Sequence, residues 1–195
     1  MKNEATVKRK TAETDIALTL ARGTGVVTVD TGCGFLDHML TLFARHGGFD
    51  LTLSCKGDTH VDDHHTVEDV GICLGRAVAE LAGDKAGLTR YGSMILPMDE
   101  ALMLSAIDLS GRGFLVYDVH IEAFKIGTFD TELAEEFWLA FVREAKLTLH
   151  IKQLAGKNAH HIVEGSFKSV AHSLKTALSV DKALAGRVLS TKEVL

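Results

Sequence analysis

Two short stretches carry the side chains best suited to chemistry, DDHHTVED at 62–69 and AHHIVEG at 159–165. On a helix, residues four apart share a face, while adjacent residues lie about 100° apart. His64 therefore pairs with Glu68, and His160 with Glu164, each as a two-residue clamp for one ion; His65 and His161 face elsewhere. Such a set implies two metal sites, each joining a clamp from one stretch to a histidine of the other. One site gathers His64, Glu68, Glu136 and His161, the other His160, Glu164, His38 and His65, whether from one chain or from neighbouring copies. Nitrogen and oxygen ligands without thiolate suit Mn²⁺, Fe²⁺ or Zn²⁺. The glutamate follows the histidines instead of lying between them, so the HExxH pattern of zinc proteolysis is not matched. A single histidine pair is common on surfaces, but core packing does not ask for the same HHxVE pattern twice.

The elements that must position these residues are also written twice. Alternation from Thr6 to Leu20 predicts an outer strand or hairpin arm, and GTGVVTVDTG (23–32) a second strand closed by glycines. FLDHMLTLFARHGG (35–48) changes to helical spacing, and FDLTLSCKGD (49–58) returns to the strand period. Apolar residues at 67, 70, 74, 78 and 81 predict a helix over 61–81, stopped by Gly83. The order then recurs: paired strands across 91–111 and 113–121, a helix over 131–145, a strand over 147–156 and a helix over 160–178. An offset of 96 superposes His64, His65, Val67 and Glu68 on His160, His161, Val163 and Glu164. An offset of 98 superposes Phe43 on Phe141 and sets His38 opposite Glu136. The prediction is an α/β (α+β) fold, an internally duplicated sandwich in which antiparallel-looking sheets are covered by helix pairs. It is expected to be a single domain over 1–195 with pseudo-repeats at approximately 6–90 and 91–190. No glycine-rich fingerprint follows a strand, so a doubly wound nucleotide-binding fold gains no support.

Composition narrows the partners. A chain of 195 residues with 46% hydrophobic and 24% charged residues can bury a core without disulfide staples. A net charge of −5 argues against nucleic acid, whose unspecific binding rests on phosphate neutralisation. Cys33, Cys55 and Cys73 are odd in number and dispersed, as expected of small buried fillers in a reducing compartment. No apolar run follows the basic residues near the N-terminus and no stretch reaches bilayer length, so no membrane partner and a cytoplasmic location are expected.

The remaining candidates are individually weak. His46 follows His38 by eight residues and is predicted near the same helical face. Glu13 and Asp99, taken alone, are turn or cap acids. Arg90, Arg112, Lys168, Ser190 and Lys192 are ordinary solvated groups unless a small phosphate pocket gathers some of them. Ser110 and the following GRG make a turn, not a phosphate loop.

Taken in order, GFLDHM (34–39), DDHHTVEDVG (62–71), PMDEA (97–101), DLSGR (108–112), GKNAHHIVEGSFK (156–168) and STK (190–192) resemble the imidazoleglycerol-phosphate dehydratase family of histidine biosynthesis. The resemblance covers roughly Arg9 to Leu195. It implies a duplicated fold of the ribosomal protein S5 domain 2-like type, self-association into trimers and a 24-subunit shell, and two Mn²⁺ per active site at subunit interfaces. The implied reaction removes water from D-erythro-imidazole glycerol phosphate to give imidazole acetol phosphate, with the metals as Lewis acids and template. It assigns metal binding to His38, His64, His65, Glu68, His160, His161 and Glu164. Glu13 takes acid–base work, Asp99 and His46 partner it, and Arg90, Arg112, Lys168, Ser190 and Lys192 grip phosphate. Two positions depart from the family pattern. AEEFW (134–138) stands where VEHFF is frequent, so Glu136 replaces the usual histidine ligand, and STKEV stands where STKG is common, which adds Glu193 beside the phosphate grip. The competing functions are a dinuclear hydrolase and an oligomeric metal-storage or structural protein. The latter has no need for Glu13, Asp99 and the cationic residues to converge.

Overall fold

A computed structural model describes residues 2–184 and 186–192. Glu193 lies outside the described residues. Strands β1 (Glu4–Lys10) and β2 (Thr14–Arg22) form an antiparallel hairpin that buries Ala5, Val7, Ile16, Leu18 and Leu20 on one face. The alternation over 6–20 is thus two strands: the buried positions are odd in β1 (Ala5, Val7) and even in β2 (Thr14, Ile16, Leu18, Leu20), so the period changes phase at the turn. Thr11 marks the turn: its Oγ1 accepts the backbone N–H of Glu13 (3.1 Å) and of Thr14 (2.9 Å). Strand β3 (Val27–Asp30), helix α1 (Gly34–Gly47), strand β4 (Phe49–Gly57) and helix α2 (His64–Ala82) complete the first half. Its sheet has the order β1-β2-β4-β3, with β3 parallel to β4.

The second half follows the same plan. Strands β5 (Tyr91–Met98) and β6 (Ala101–Asp108) form the hairpin, and strand β7 (Phe114–Asp118) comes next. A two-residue pair, β8 (Lys125–Ile126) and β9 (Phe129–Asp130), is an insertion that the periodicity does not signal. Helix α3 (Leu133–Ala145), strand β10 (Thr148–Ala155) and helix α4 (Ala159–Ala177) follow. The sheet order is β5-β6-β10-β7, the same as in the first half, and β7 is again parallel to β10. The fold is the expected duplicated α/β sandwich. Each sheet is mixed, however, not antiparallel, since the helix between β3 and β4, or between β7 and β10, acts as a crossover returning the chain in the same direction.

Helices α1 and α2 cover the first sheet and α3 and α4 the second, and the halves join through α1 on α4 and α2 on α3. A β-carbon at Gly71 would lie 2.7 Å from the Phe137 carbonyl oxygen, and one at Gly75 would lie 2.5 Å from that of Phe141, so glycine is what lets α2 reach the α3 backbone. At the centre Phe43, Phe137, Trp138, Phe141 and Phe167 are fully enclosed, with Trp138 and Phe167 rings 4.6 Å apart and Phe137 and Phe167 rings 5.1 Å apart. Burying each such ring contributes about 1.5–3 kcal/mol. Phe167 lies one turn from Glu164, so this cluster fixes the rotation of α4 and the direction of its polar face. The three cysteines are buried and unbridged, and burial pushes each thiol up to about 11. Among the described residues no helix is long and apolar enough to cross a membrane.

Candidate active site

Asn158 caps α4, its Oδ1 accepting the backbone N–H of His160 (2.9 Å) and His161 (3.3 Å). This sets the helix phase that brings His160 over Glu164. From the adjoining α1, His38 completes the group: its Nε2 lies 3.3 Å from Glu164 Oε2, and His160 Nε2 lies 3.1 Å from the same oxygen. One ligand atom from each of the three falls within 4.8 Å of the others, the one such grouping among the described residues. Glu164 is buried, and its other oxygen, Oε1, lies 2.5 Å from Lys168 Nζ. Burial opposes ionisation of Glu164, yet Lys168, His160 and His38 together hold its carboxyl below the usual range. A buried carboxylate and two convergent imidazoles are a donor set that fits a divalent first-row ion.

The second histidine of each pair points to the hairpin turn of its own half. His65 Nδ1 lies 3.0 Å from Asp58 Oδ2, and its Nε2 lies 3.8 Å from Glu13 Oε1. His161 Nδ1 lies 2.7 Å from Glu100 Oε2, and its Nε2 lies 3.8 Å from Asp99 Oδ2. Glu13, between β1 and β2, and Asp99, between β5 and β6, therefore stand in corresponding places. Asp99 has φ +50°, a left-handed conformation that aspartate tolerates and most residues resist. Hydrogen bonding to Asp58 raises the His65 pKa, and bonding to Glu100 raises that of His161; Glu100 is in turn lowered to about 2, first by His161. The Glu13 turn is fixed from below by buried Asp69 on α2, which accepts from Thr14 Oγ1 (2.5 Å) and Arg9 Nη2 (2.7 Å).

At the opposite end of α4 a cleft of about 1120 Å³ is lined by Arg90, Ser110, Arg112, Arg187, Ser190 and Lys192 among others. Arg90 has φ +72° and donates its backbone N–H to Ala177 O at the last residue of α4 (3.0 Å). Its guanidinium forks onto Asp108 (2.7 and 3.1 Å) and reaches Leu189 O (2.5 Å), tying the C-terminal segment to the second sheet. Four cationic side chains and three hydroxyls line this one cleft, a set of groups whose chemistry suits an anion such as phosphate.

A family model for imidazoleglycerol-phosphate dehydratase matches residues 31–174. Relatives bearing that name include one from Dinoroseobacter shibae, 56% identical over 189 residues, 96% of this chain and 97% of its own. Another, from Desulforamulus reducens, is 52% identical over 196 residues, the whole of both chains. The chain belongs to the imidazoleglycerol-phosphate dehydratase family. Solved structures agree: the dehydratase of Staphylococcus aureus superposes with TM-score 0.84 at 39% identity, covering 91% of this chain and 99% of that one. The Pyrococcus furiosus enzyme, in complex with (S)-C348, has TM-score 0.84 at 39% identity over 97% of this chain and 100% of its own.

Within one chain the dehydratase fold assembles part of the expected site. His38, His160 and Glu164 meet as predicted, but His65 does not join them, because its ring is turned to Asp58 and Glu13. The second set does not close on itself either. Glu68 pairs with Arg143 of α3 at 2.9 Å, His161 is held by Glu100, and no described contact brings Glu136 to His64. Like charge on Glu68 and Glu136 opposes their approach, while the Arg143 guanidinium offers Glu68 a partner. His46 lies two turns beyond His38 and faces His172 (Nδ1 to Nε2, 3.2 Å), not the metal-ligand group. Burial first, then the Lys168 charge, lowers the His46 pKa. The expected phosphate grip divides: Arg90, Arg112, Ser190 and Lys192 line the cleft, whereas Lys168 sits on Glu164. The SGR turn was expected and is found, and it also lines the cleft. Asp58, Glu100 and Arg187 had not been singled out. Glu100 adjoins Asp99 in PMDEA and was legible there, whereas Asp58 is one acid among several before α2.

Proposed function

We propose that the protein removes water from D-erythro-imidazole glycerol phosphate to give imidazole acetol phosphate, the dehydration step of histidine biosynthesis, as a divalent-metal-dependent carbon–oxygen lyase. The observation that carries this reading is a His-His-Glu clamp and a cationic cleft in one chain of this family. A storage protein needs no such cleft. A hydrolase finds support in neither the motif nor the relatives.

In this reading two Mn²⁺ serve each site. His38, His160 and Glu164 with a neighbouring copy's His65 hold one, and His64, Glu68 and Glu136 with a neighbouring copy's His161 hold the other. Bound there, the ions supply Lewis-acid polarisation and a template for the imidazole ring. Arg90, Arg112, Ser190 and Lys192 grip the phosphate and fix the register of the three-carbon chain. Lys168 balances the Glu164 charge. Glu13 moves the carbon-bound proton, and Asp99 attends the departing hydroxyl and the proton returned to it.

The clamp and the cleft lie at opposite ends of α4, with His160 near its start and Arg90 tied to Ala177 at its end. Seventeen residues of helix separate them by about 25 Å. A substrate made of one imidazole ring, a three-carbon chain and a phosphate cannot span that length, so each site takes its metal end from one copy and its phosphate end from another. Trimers assembled into a cytoplasmic shell of 24 copies are the form we propose. Dialysis against a chelator is expected to abolish product formation from the imidazole phosphate substrate, and added Mn²⁺ to restore it. Undiminished turnover in protein shown to be free of transition metal would refute the reading.

A further inference from the structure

The two halves solve one problem with residues that do not correspond. In the first, the Nδ1 of His65 meets Asp58, which lies between β4 and α2 (Oδ2 at 3.0 Å and Oδ1 at 3.2 Å). In the second, the Nδ1 of His161 meets Glu100, in the turn between β5 and β6 (2.7 Å). The offset that superposes the histidines sets Leu154, not an acid, opposite Asp58. A carboxylate thus reaches the same ring nitrogen from different elements in each half, which inherited symmetry does not explain.

Each acid is itself anchored. Glu100 Oε1 accepts the backbone N–H of Asn158 (2.8 Å) and Lys157 (3.3 Å), binding the hairpin turn to the residue that caps α4. The Asp58 backbone N–H donates to Glu13 O (3.1 Å), and its carbonyl accepts from Val61 (2.8 Å). An imidazole whose Nδ1–H donates to a fixed carboxylate carries its lone pair on Nε2, and its ring plane is set. In both halves that Nε2 faces the turn acid, Glu13 or Asp99, at 3.8 Å.

We propose that Asp58 and Glu100 are positioning residues that lock His65 and His161 in the tautomer and orientation presenting Nε2 as the metal-ligating atom. The inference rests on the metal reading above and adds the acids that make the second histidine of each pair a competent ligand. The two carboxylates act on the ring, not on substrate. Their removal lowers metal affinity without unfolding the chain, because the histidines are surface-facing and the hydrogen bonds in question lie outside the core.

The test is titration of Mn²⁺ alone into metal-stripped assembled protein, alongside the melting temperature of the metal-free form. Asp58→Ala and Glu100→Ala are expected to weaken Mn²⁺ binding by about 10- to 100-fold, with metal-free melting unchanged. Asp58→Asn and Glu100→Gln keep an oxygen that accepts the Nδ1–H, and they retain most of the affinity. Wild-type affinity in both alanine variants would overturn the proposal. So would a fall in metal-free melting that accompanies the lost affinity in the amide variants as well, since that is the mark of a merely structural contact. Failure of the wild type to bind Mn²⁺ would strike the metal reading itself, and with it this inference.

Discussion

Glu13→Gln lowers dehydration by about 10²- to 10⁴-fold, the usual reach of a positioned acid–base group, and leaves bound metal and assembled mass as in the wild type. The side chain projects from the β1–β2 turn and is half-exposed, 3.8 Å from the Nε2 face of His65. It is near the reacting region yet outside the clamp of His38, His160 and Glu164. Glutamine keeps the length and shape of the side chain, and the turn is held by Thr11, Thr14 and Asp69, not by the Glu13 carboxylate. Product formation, metal content and assembled mass measured on one preparation separate the outcomes. Normal turnover with full metal would remove Glu13 from the chemistry, and lost metal would make it a ligand instead.

Glu164→Ala acts on binding. Two imidazoles converge on one oxygen of this carboxylate and Lys168 on the other, so its loss removes the group that organises the clamp. Mn²⁺ affinity at that site falls by roughly 100-fold or more, beyond what a supporting residue costs, and turnover falls with it. Stability also falls, because Lys168 is left largely enclosed without its counter-charge; breaking such a buried pair costs about 3–5 kcal/mol. Lys168→Met in the same background removes that stranded charge and is expected to recover much of the melting temperature without recovering the metal. Full Mn²⁺ uptake by Glu164→Ala would show that the clamp is not a metal site.

The duplicated plan was legible because its carriers are periodic. The HHxVE pair at offset 96 and the apolar stripe of each helix survive without tertiary knowledge. Strand direction was not, since β3 and β7 run parallel to β4 and β10 through long-range pairing that no local pattern encodes. The hairpin turn at Thr11–Glu13 does leave a local trace, a shift of the buried positions from odd to even, which alternation taken over 6–20 as a whole passes over. At the site, helix geometry alone gave the pairings of His160 with Glu164 and of His65 and His161 turned away. It could not give the partners of the turned residues, because Asp58 and Glu100 come from loops whose paths are set by the packed sheets. His46 shows the limit of spacing. Eight residues place it on the correct side of α1, but two turns of rise carry it to His172. The cationic residues of the cleft are scattered from 90 to 192 and become a group only when the C-terminal segment folds back on Arg90.

The central claim is that metal and phosphate are gripped by different copies. It is tested most directly by mixing two variants, each inactive alone, Glu164→Ala at the metal end and Arg112→Ala at the phosphate end, and assembling them together from equal amounts of unfolded chain. Sites that draw one end from each copy regain activity in about a quarter of cases by random mixing in a symmetric assembly. A mixture as inactive as either variant, with mixed assemblies verified by mass, would place both ends in one chain and contradict it.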